Sequence, residues 1–298
     1  MKKFFIILSL GILTFSLTAC STNEDENNIN TVNSVTNSKE VNIEASTEHS
    51  EEVIIEKDFS KFFENINGTA VFYNPSNNNF DVYNTELYNV QASPCSSFKV
   101  VSTLIGLEKG LLQDENTKLG YDGTNYLREE INKDLTLEEA FKLSAVWYYK
   151  KFIDEISPED MQEELNYLNY GNKDISKWNG GDINPLPQLN GFWLESSLKI
   201  SPKEQTQVLY KIFGQDNKYL DRSKEILKNI MLVYDEDNLK IYGKTGAGYE
   251  DNSWFVGMVE SNQGTYYFAI RLSDLNNEEA TSPKAREIAI EIIKNNYK

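Results

Sequence analysis

The chain has 298 residues, enough for one large domain or two modest ones with ample core. Its formal charge of -17 disfavours a nucleic-acid binder, which needs a basic face, and its two cysteines, Cys20 and Cys95, leave no disulfide framework. The one histidine, His49, lies in a polar stretch ahead of the folded part, so histidine-based triads and metal sites are excluded and acid-base chemistry falls to Lys, Asp, Glu or Tyr.

Met1-Lys2-Lys3 and the apolar run from Phe4 to Leu17 read as the charged and hydrophobic regions of a signal, too short for a comfortable membrane span. Leu17-Thr18-Ala19-Cys20 resembles a bacterial lipobox, which implies a leader over 1–19 and lipidation of Cys20. Cleavage at a small-residue site is the alternative, and either way the chain is exported. Residues 20–54 are rich in Asn, Ser, Thr and Glu with almost no aromatics, so they bury too little to offset ordering and read as a disordered tether. Together these predict a lipoprotein moored to a bacterial bilayer, its body (55–298) facing outside the cytoplasm.

Asp58 to Asn65 suggests a short helix. Thr69–Tyr73 and Phe80–Tyr83 flank the turn sequence Asn74-Pro75-Ser76-Asn77-Asn78, a hairpin pattern. After Pro94 the apolar positions recur at helical spacing through Val100, Val101, Leu104, Ile105, Leu107 and Leu111, with a stop near Gly110. Residues 115–215 read as a helical lobe, with capping signals at Thr136/Glu139, Ser157-Pro158 and Ser201/Glu204. Leu239–Lys244, Ser253–Val259 and Thr265–Leu272 alternate as an antiparallel meander, and Pro283–Asn296 forms an amphipathic helix. The pattern predicts an α+β fold: an antiparallel sheet built from both chain ends, flanked by helices, with a helical subdomain inserted between them.

On the helix after Pro94, Ser96 and Lys99 stand three apart and share a face. In apolar surroundings the lysine would be uncharged, giving a nucleophile beside a base. Ser-x-x-Lys occurs again at Ser196 and Lys199, so alone it decides little. Ser144-Ala145-Val146, Tyr170-Gly171-Asn172, Phe192-Trp193-Leu194 and Lys244-Thr245-Gly246 then follow in that order. That succession resembles the class D serine beta-lactamases, within the penicillin-recognising serine enzymes, over residues 55–298. An apolar third residue, Val146, is what sets class D apart. Gln162-Glu163-Glu164-Leu165-Asn166 imitates the class A glutamate region with glutamine where the base would stand, and is read as a decoy on an exposed helix.

The resemblance implies hydrolysis of penicillin-type antibiotics, and so resistance, through an acyl-enzyme on Ser96. It implies Lys99 carbamylated by carbon dioxide as general base, with Val146, Leu194 and Phe98 as apolar walls and the Trp193 indole N–H as a donor to the carbamate. Ser144 would relay a proton to the lactam nitrogen, and the backbone N–H groups of Ser96 and Ala247 would form the oxyanion hole. Lys244, Thr245 and Arg286 would hold the substrate carboxylate, with Gly246 on the same strand, while Tyr170 and Asn172 scaffold the site. No metal and no cofactor beyond carbon dioxide or bicarbonate is implied. Cys95 departs from the family's usual small residue and is read as buried packing, and the segment from Lys173 to Gly191 is longer than usual. The rivals are a sensor domain that acylates without turnover, a peptidoglycan transpeptidase or carboxypeptidase, and a non-enzymatic surface lipoprotein. Sensors usually follow several membrane spans, peptidases expect Ser-x-Asn in the middle, and the last leaves the motif order unexplained.

Overall fold

The computed structural model describes residues 51–214, 217–248, 252–274 and 276–298. The expected leader, Cys20 and nearly all of the expected tether lie outside the described residues. Strands β1 (Val53–Glu56), β2 (Gly68–Asn74), β3 (Asn79–Tyr83), β4 (Leu232–Glu236), β5 (Leu239–Ala247), β6 (Ser253–Ser261) and β7 (Gly264–Leu272) form one sheet in the order β1-β3-β2-β7-β6-β5-β4. β2 joins the N-terminal hairpin to the C-terminal meander by pairing antiparallel with β7, from Gly68 opposite Leu272 to Tyr73 opposite Tyr267.

The helices are α1 (Ser60–Phe63), α2 (Lys99–Glu108), α3 (Leu137–Lys142), α4 (Val146–Ile153), α5 (Pro158–Leu168), α6 (Pro202–Phe213), α7 (Asp221–Met231) and α8 (Ser282–Asn296). Local chemistry explains their starts. Thr136 and Ser201 each form a complete capping box with Glu139 and Glu204, and Ser157 caps α5 ahead of Pro158. On α8 the buried residues Ala285, Ile288, Ala289, Ile292 and Ile293 make a single apolar stripe.

Because side chains alternate across a strand, the sheet feeds two cores. Ala70, Phe72, Phe255, Phe268 and Ile270 pack with α1 and α8. Val71, Tyr73, Trp254, Val256 and Ala269 face the larger helical side. The result is an α+β body of three layers, as expected from the sequence, with four differences. The outermost N-terminal strand, β1, runs parallel to β3 and starts at Val53, inside the segment read as tether. A fourth C-terminal strand, β4, precedes the meander and carries a register shift between Leu232 and Tyr234 that blurs its alternation. The helical layer continues past 215 through α7. β5 runs on through the Lys244-Thr245-Gly246 motif to Ala247.

Candidate active site

Residues Cys95–Phe98 form a 3-10 turn that feeds directly into α2. Residues three apart eclipse in a 3-10 helix, and Lys99 Nζ lies 3.0 Å from Ser96 Oγ. Lys99 is 1 % exposed, and its amine sits over the Tyr149 ring at 4.8 Å from the centroid. Burial lowers its pKa to about 7, opposed by Cys95 and helped by the Arg128 charge. Ser96 is 8 % exposed, buried but less completely than Lys99.

Ser144 sits in the turn between α3 and α4 with φ 53°, a left-handed conformation in which its Oγ meets Lys244 Nζ at 2.5 Å. Lys244 also donates to the Thr245 carbonyl at 2.9 Å and to Thr245 Oγ1 at 3.3 Å. Burial pushes Lys244 well below the ordinary lysine range, and the charges of Lys99 and Arg128 push the same way. Two like charges in one dry site repel, and the Lys99 charge is one reason Lys244 is held down.

β5 lies against the nucleophile turn because Gly246 lets it. A Cβ there would fall 2.8 Å from the Pro94 carbonyl oxygen and 3.0 Å from the Ser97 nitrogen. Gly248 N–H donates to Asn252 O at 2.9 Å, which makes that pair a hydrogen-bonded one in the antiparallel ladder. Ala247, opposite Ser253, is then of the other type, and its N–H points away from β6. Lys244, Thr245 and Arg286 line one cleft of about 330 Å³ with Phe141 and Leu232, and the exposed Arg286 of α8 donates to the Val233 carbonyl of β4 at 3.4 Å.

Trp193 is buried, with its ring against Phe98 (centroids 6.0 Å) and Phe192 (5.1 Å). Its carbonyl accepts from Cys95 N–H and from Ser93 Oγ, both at 3.0 Å, tying this loop to the nucleophile turn. Among the described residues its indole N–H has no hydrogen-bond partner. Val146 opens α4 one turn before Tyr149, and Leu194 is half-buried beside Trp193. Tyr170 packs edge-on to Phe98 at 5.5 Å, and Asn172 bonds the backbone of Ser197 (2.8 Å) and Lys199 (2.9 Å). In the second Ser-x-x-Lys, Ser196 Oγ is buried with no hydrogen-bond partner among the described residues, so Lys199 is not bonded to it. Gln162 is only half-buried, not exposed, and donates to Lys173 O at 3.1 Å, holding the start of the long segment.

The sequence reading passed over Tyr149, Glu195 and Asn252. Tyr149 follows Val146 by one helical turn, a spacing that puts both on one face and was available from the sequence. Glu195 joins Cys95 and Asn252 through contacts across the fold, which leave no local signal. Cys95 therefore does more than fill space: its thiol donates to Glu195 Oε1 at 3.1 Å, and burial together with that carboxyl group raises its pKa, leaving it inert as a nucleophile.

The sequence profile described as the penicillin binding protein transpeptidase domain matches residues 68–294. The chain belongs to that family. Within the transpeptidase family it is 34% identical over 253 residues to the probable beta-lactamase YbxI of Bacillus subtilis, covering 84% of this chain and 89% of that protein. A crystal structure of a class D beta-lactamase from Bacillus subtilis superposes with a TM-score of 0.71 at 33% identity, over 80% of this chain and 95% of that one. The C-terminal domain of the Bacillus licheniformis BlaR penicillin-receptor superposes with a TM-score of 0.73 at 27% identity, over 83% of this chain and 97% of that one. The chain thus stands on the class D branch of the family, beside a penicillin receptor of the same fold.

Proposed function

We propose that this chain is a class D serine beta-lactamase that opens the lactam amide of penicillin-type antibiotics through an acyl-enzyme on Ser96. The observation that carries the reading is the buried Lys99 amine, held near pKa 7 and 3.0 Å from the Ser96 hydroxyl. A neutral amine there can take the hydroxyl proton as Oγ attacks the lactam carbonyl carbon. The oxygen that becomes negative meets the N–H groups of Ser96 and Ala247, and losing one such donor costs about 3 kcal/mol of barrier. The C–N bond then breaks, and Ser144, hydrogen-bonded to Lys244, passes a proton to the lactam nitrogen. The substrate carboxylate sits between Thr245, Lys244 and Arg286, and its charge restores the proton affinity that burial removes from Lys244.

Lys99 suits carbamylation, since only a neutral amine reacts with carbon dioxide and the unpartnered Trp193 indole N–H is a donor for the resulting anion. Once carbamylated, Lys99 would take over the amine's role as a negatively charged base, for acylation and for the water that releases product. The beta-lactamase relatives support hydrolysis; the receptor likeness supports a reading in which the acyl-enzyme persists.

The discriminating experiment is turnover by the purified body with a chromogenic penicillin. Many product molecules per chain support the hydrolase, whereas one stoichiometric burst would assign it to the receptor or peptidase class. We also propose export and lipid mooring at Cys20. Cys20→Ser should move the protein from the membrane fraction to the soluble one, and an unchanged distribution would refute the anchor.

A further inference from the structure

Resting on the acyl-enzyme reading above, the oxyanion hole needs two N–H groups from segments far apart in the chain, Ser96 on the turn before α2 and Ala247 at the end of β5. Gly246 allows the two segments to touch, but touching does not fix how Ala247 is angled toward Ser96. One side chain bonds the neighbour of Ser96 directly and the neighbour of Ala247 through one intermediate residue. Glu195 Oε1 accepts from the Cys95 thiol at 3.1 Å, one residue before Ser96. The same carboxyl group accepts from Asn252 Nδ2, at 3.3 Å on Oε1 and 3.5 Å on Oε2. Asn252 in turn holds Gly248, one residue past Ala247, through the 2.9 Å backbone bond.

Several details fit this arrangement. The carboxyl group packs directly on the Gly248 backbone, since a Cβ at 248 would lie 1.6 Å from Glu195 Oε1. Arg271 Nε donates to Asn252 Oδ1 at 3.2 Å, so the amide is turned with its N–H₂ toward Glu195. Cys95 and Glu195 both adopt left-handed backbone, φ 49° and 45°, which residues other than glycine hold only when their surroundings demand it. Glu195 N–H is fixed by Ser93 Oγ at 2.9 Å, and Cys95 N–H by the Trp193 carbonyl.

We propose that Glu195 is the positioning residue of the oxyanion hole, a carboxyl clamp that sets the Ser96 and Ala247 donors relative to each other and never touches substrate. Cys95 is then a donor to the clamp, which accounts for a cysteine at that place.

The test uses Glu195→Met, Cys95→Ser and Cys95→Ala in the full chain, with acylation rates measured for a cephalosporin and for its analogue carrying sulfur in place of the lactam carbonyl oxygen. Sulfur is a poor acceptor, so the oxo-to-thiono rate ratio reports the hole itself. Glu195→Met, which keeps an unbranched side chain and removes both acceptor oxygens, is expected to slow oxo acylation about 10- to 100-fold and to shrink the ratio about tenfold, with the thermal midpoint moving only a few degrees. Cys95→Ser, which keeps a donor, should stay within about twofold of wild type, and Cys95→Ala should shrink the ratio as Glu195→Met does. An unchanged ratio in both Glu195→Met and Cys95→Ala overturns the clamp, whatever happens to absolute rates. A wild-type chain that is never acylated overturns the acyl-enzyme reading; normal acylation of wild type and both variants alike overturns the clamp alone.

Discussion

Replacing Lys99 by methionine keeps an unbranched side chain of similar length and removes the buried amine. In the folded chain burial holds that amine near pKa 7, against an ordinary value of 10.5. At about 1.4 kcal/mol per pH unit, the folded state carries a cost of up to about 5 kcal/mol whenever Lys99 is charged. Below pH 7 the amine is protonated in both folded and unfolded chains, so wild type bears the whole cost. Between about 7 and 10.5 the unfolded chain binds the extra proton, and wild-type stability climbs as pH rises. The buried tyrosines are common to both proteins and cancel, whereas Lys244 loses the opposing Lys99 charge in the variant, which adds to the variant's advantage at low pH. Loss of the contact with Ser96 subtracts about 1 kcal/mol at every pH. Lys99→Met should therefore be the more stable protein at pH 6, by up to about 4 kcal/mol, or about 8 to 16 °C in melting temperature for a body of this size. The gap should narrow steadily toward pH 9.5. Thermal melts in buffers stripped of carbon dioxide measure it, and two parallel curves of midpoint against pH would refute the claim that this amine is neutralised by burial.

Ser96→Ala should abolish covalent labelling by a labelled penicillin, read as the loss of the mass adduct; an adduct that persists would move the nucleophile elsewhere. Arg286→Ala should raise KM for penicillins about tenfold with little change in kcat, since on the proposed reading the arginine would hold a carboxylate remote from the bond being broken. A fall in kcat at unchanged KM would contradict that role. Bicarbonate should raise wild-type turnover most at low pH, where protonated Lys99 loses its carbamate. Trp193→Phe, which keeps the ring and removes the N–H donor, should need more bicarbonate for the same rate. Equal bicarbonate dependence in the two proteins would remove Trp193 from that task.

What the sequence made legible was local. Thr136 with Glu139 and Ser201 with Glu204 announce helix starts because each cap satisfies its own first turn. The strands of the C-terminal meander stand out as apolar runs between turns because both faces are covered, one by α8 and the other by the helical layer. Ser96 and Lys99 were readable because one turn of helix sets their contact. The omissions divide in two. α7 was readable, since Ser223, Ile226, Leu227, Ile230 and Met231 recur at helical spacing, and so was Tyr149. β1 was not, because Val53–Glu56 becomes a strand only by lying beside β3, and a parallel partner leaves no turn to find. Glu195 was not, because its partners Cys95 and Asn252 come from opposite ends of the body.

The pairing of β2 with β7 has a consequence for how the molecule is made. These neighbours are roughly two hundred residues apart in the chain, and β7 ends at Leu272. During synthesis the N-terminal hairpin waits without its partner until Leu272 has emerged, so the centre of the sheet closes late and across a long loop. A nascent polypeptide in that condition stays threadable up to that point, and the pocket that would capture an antibiotic comes into being only once the hairpin of β6 and β7 has docked.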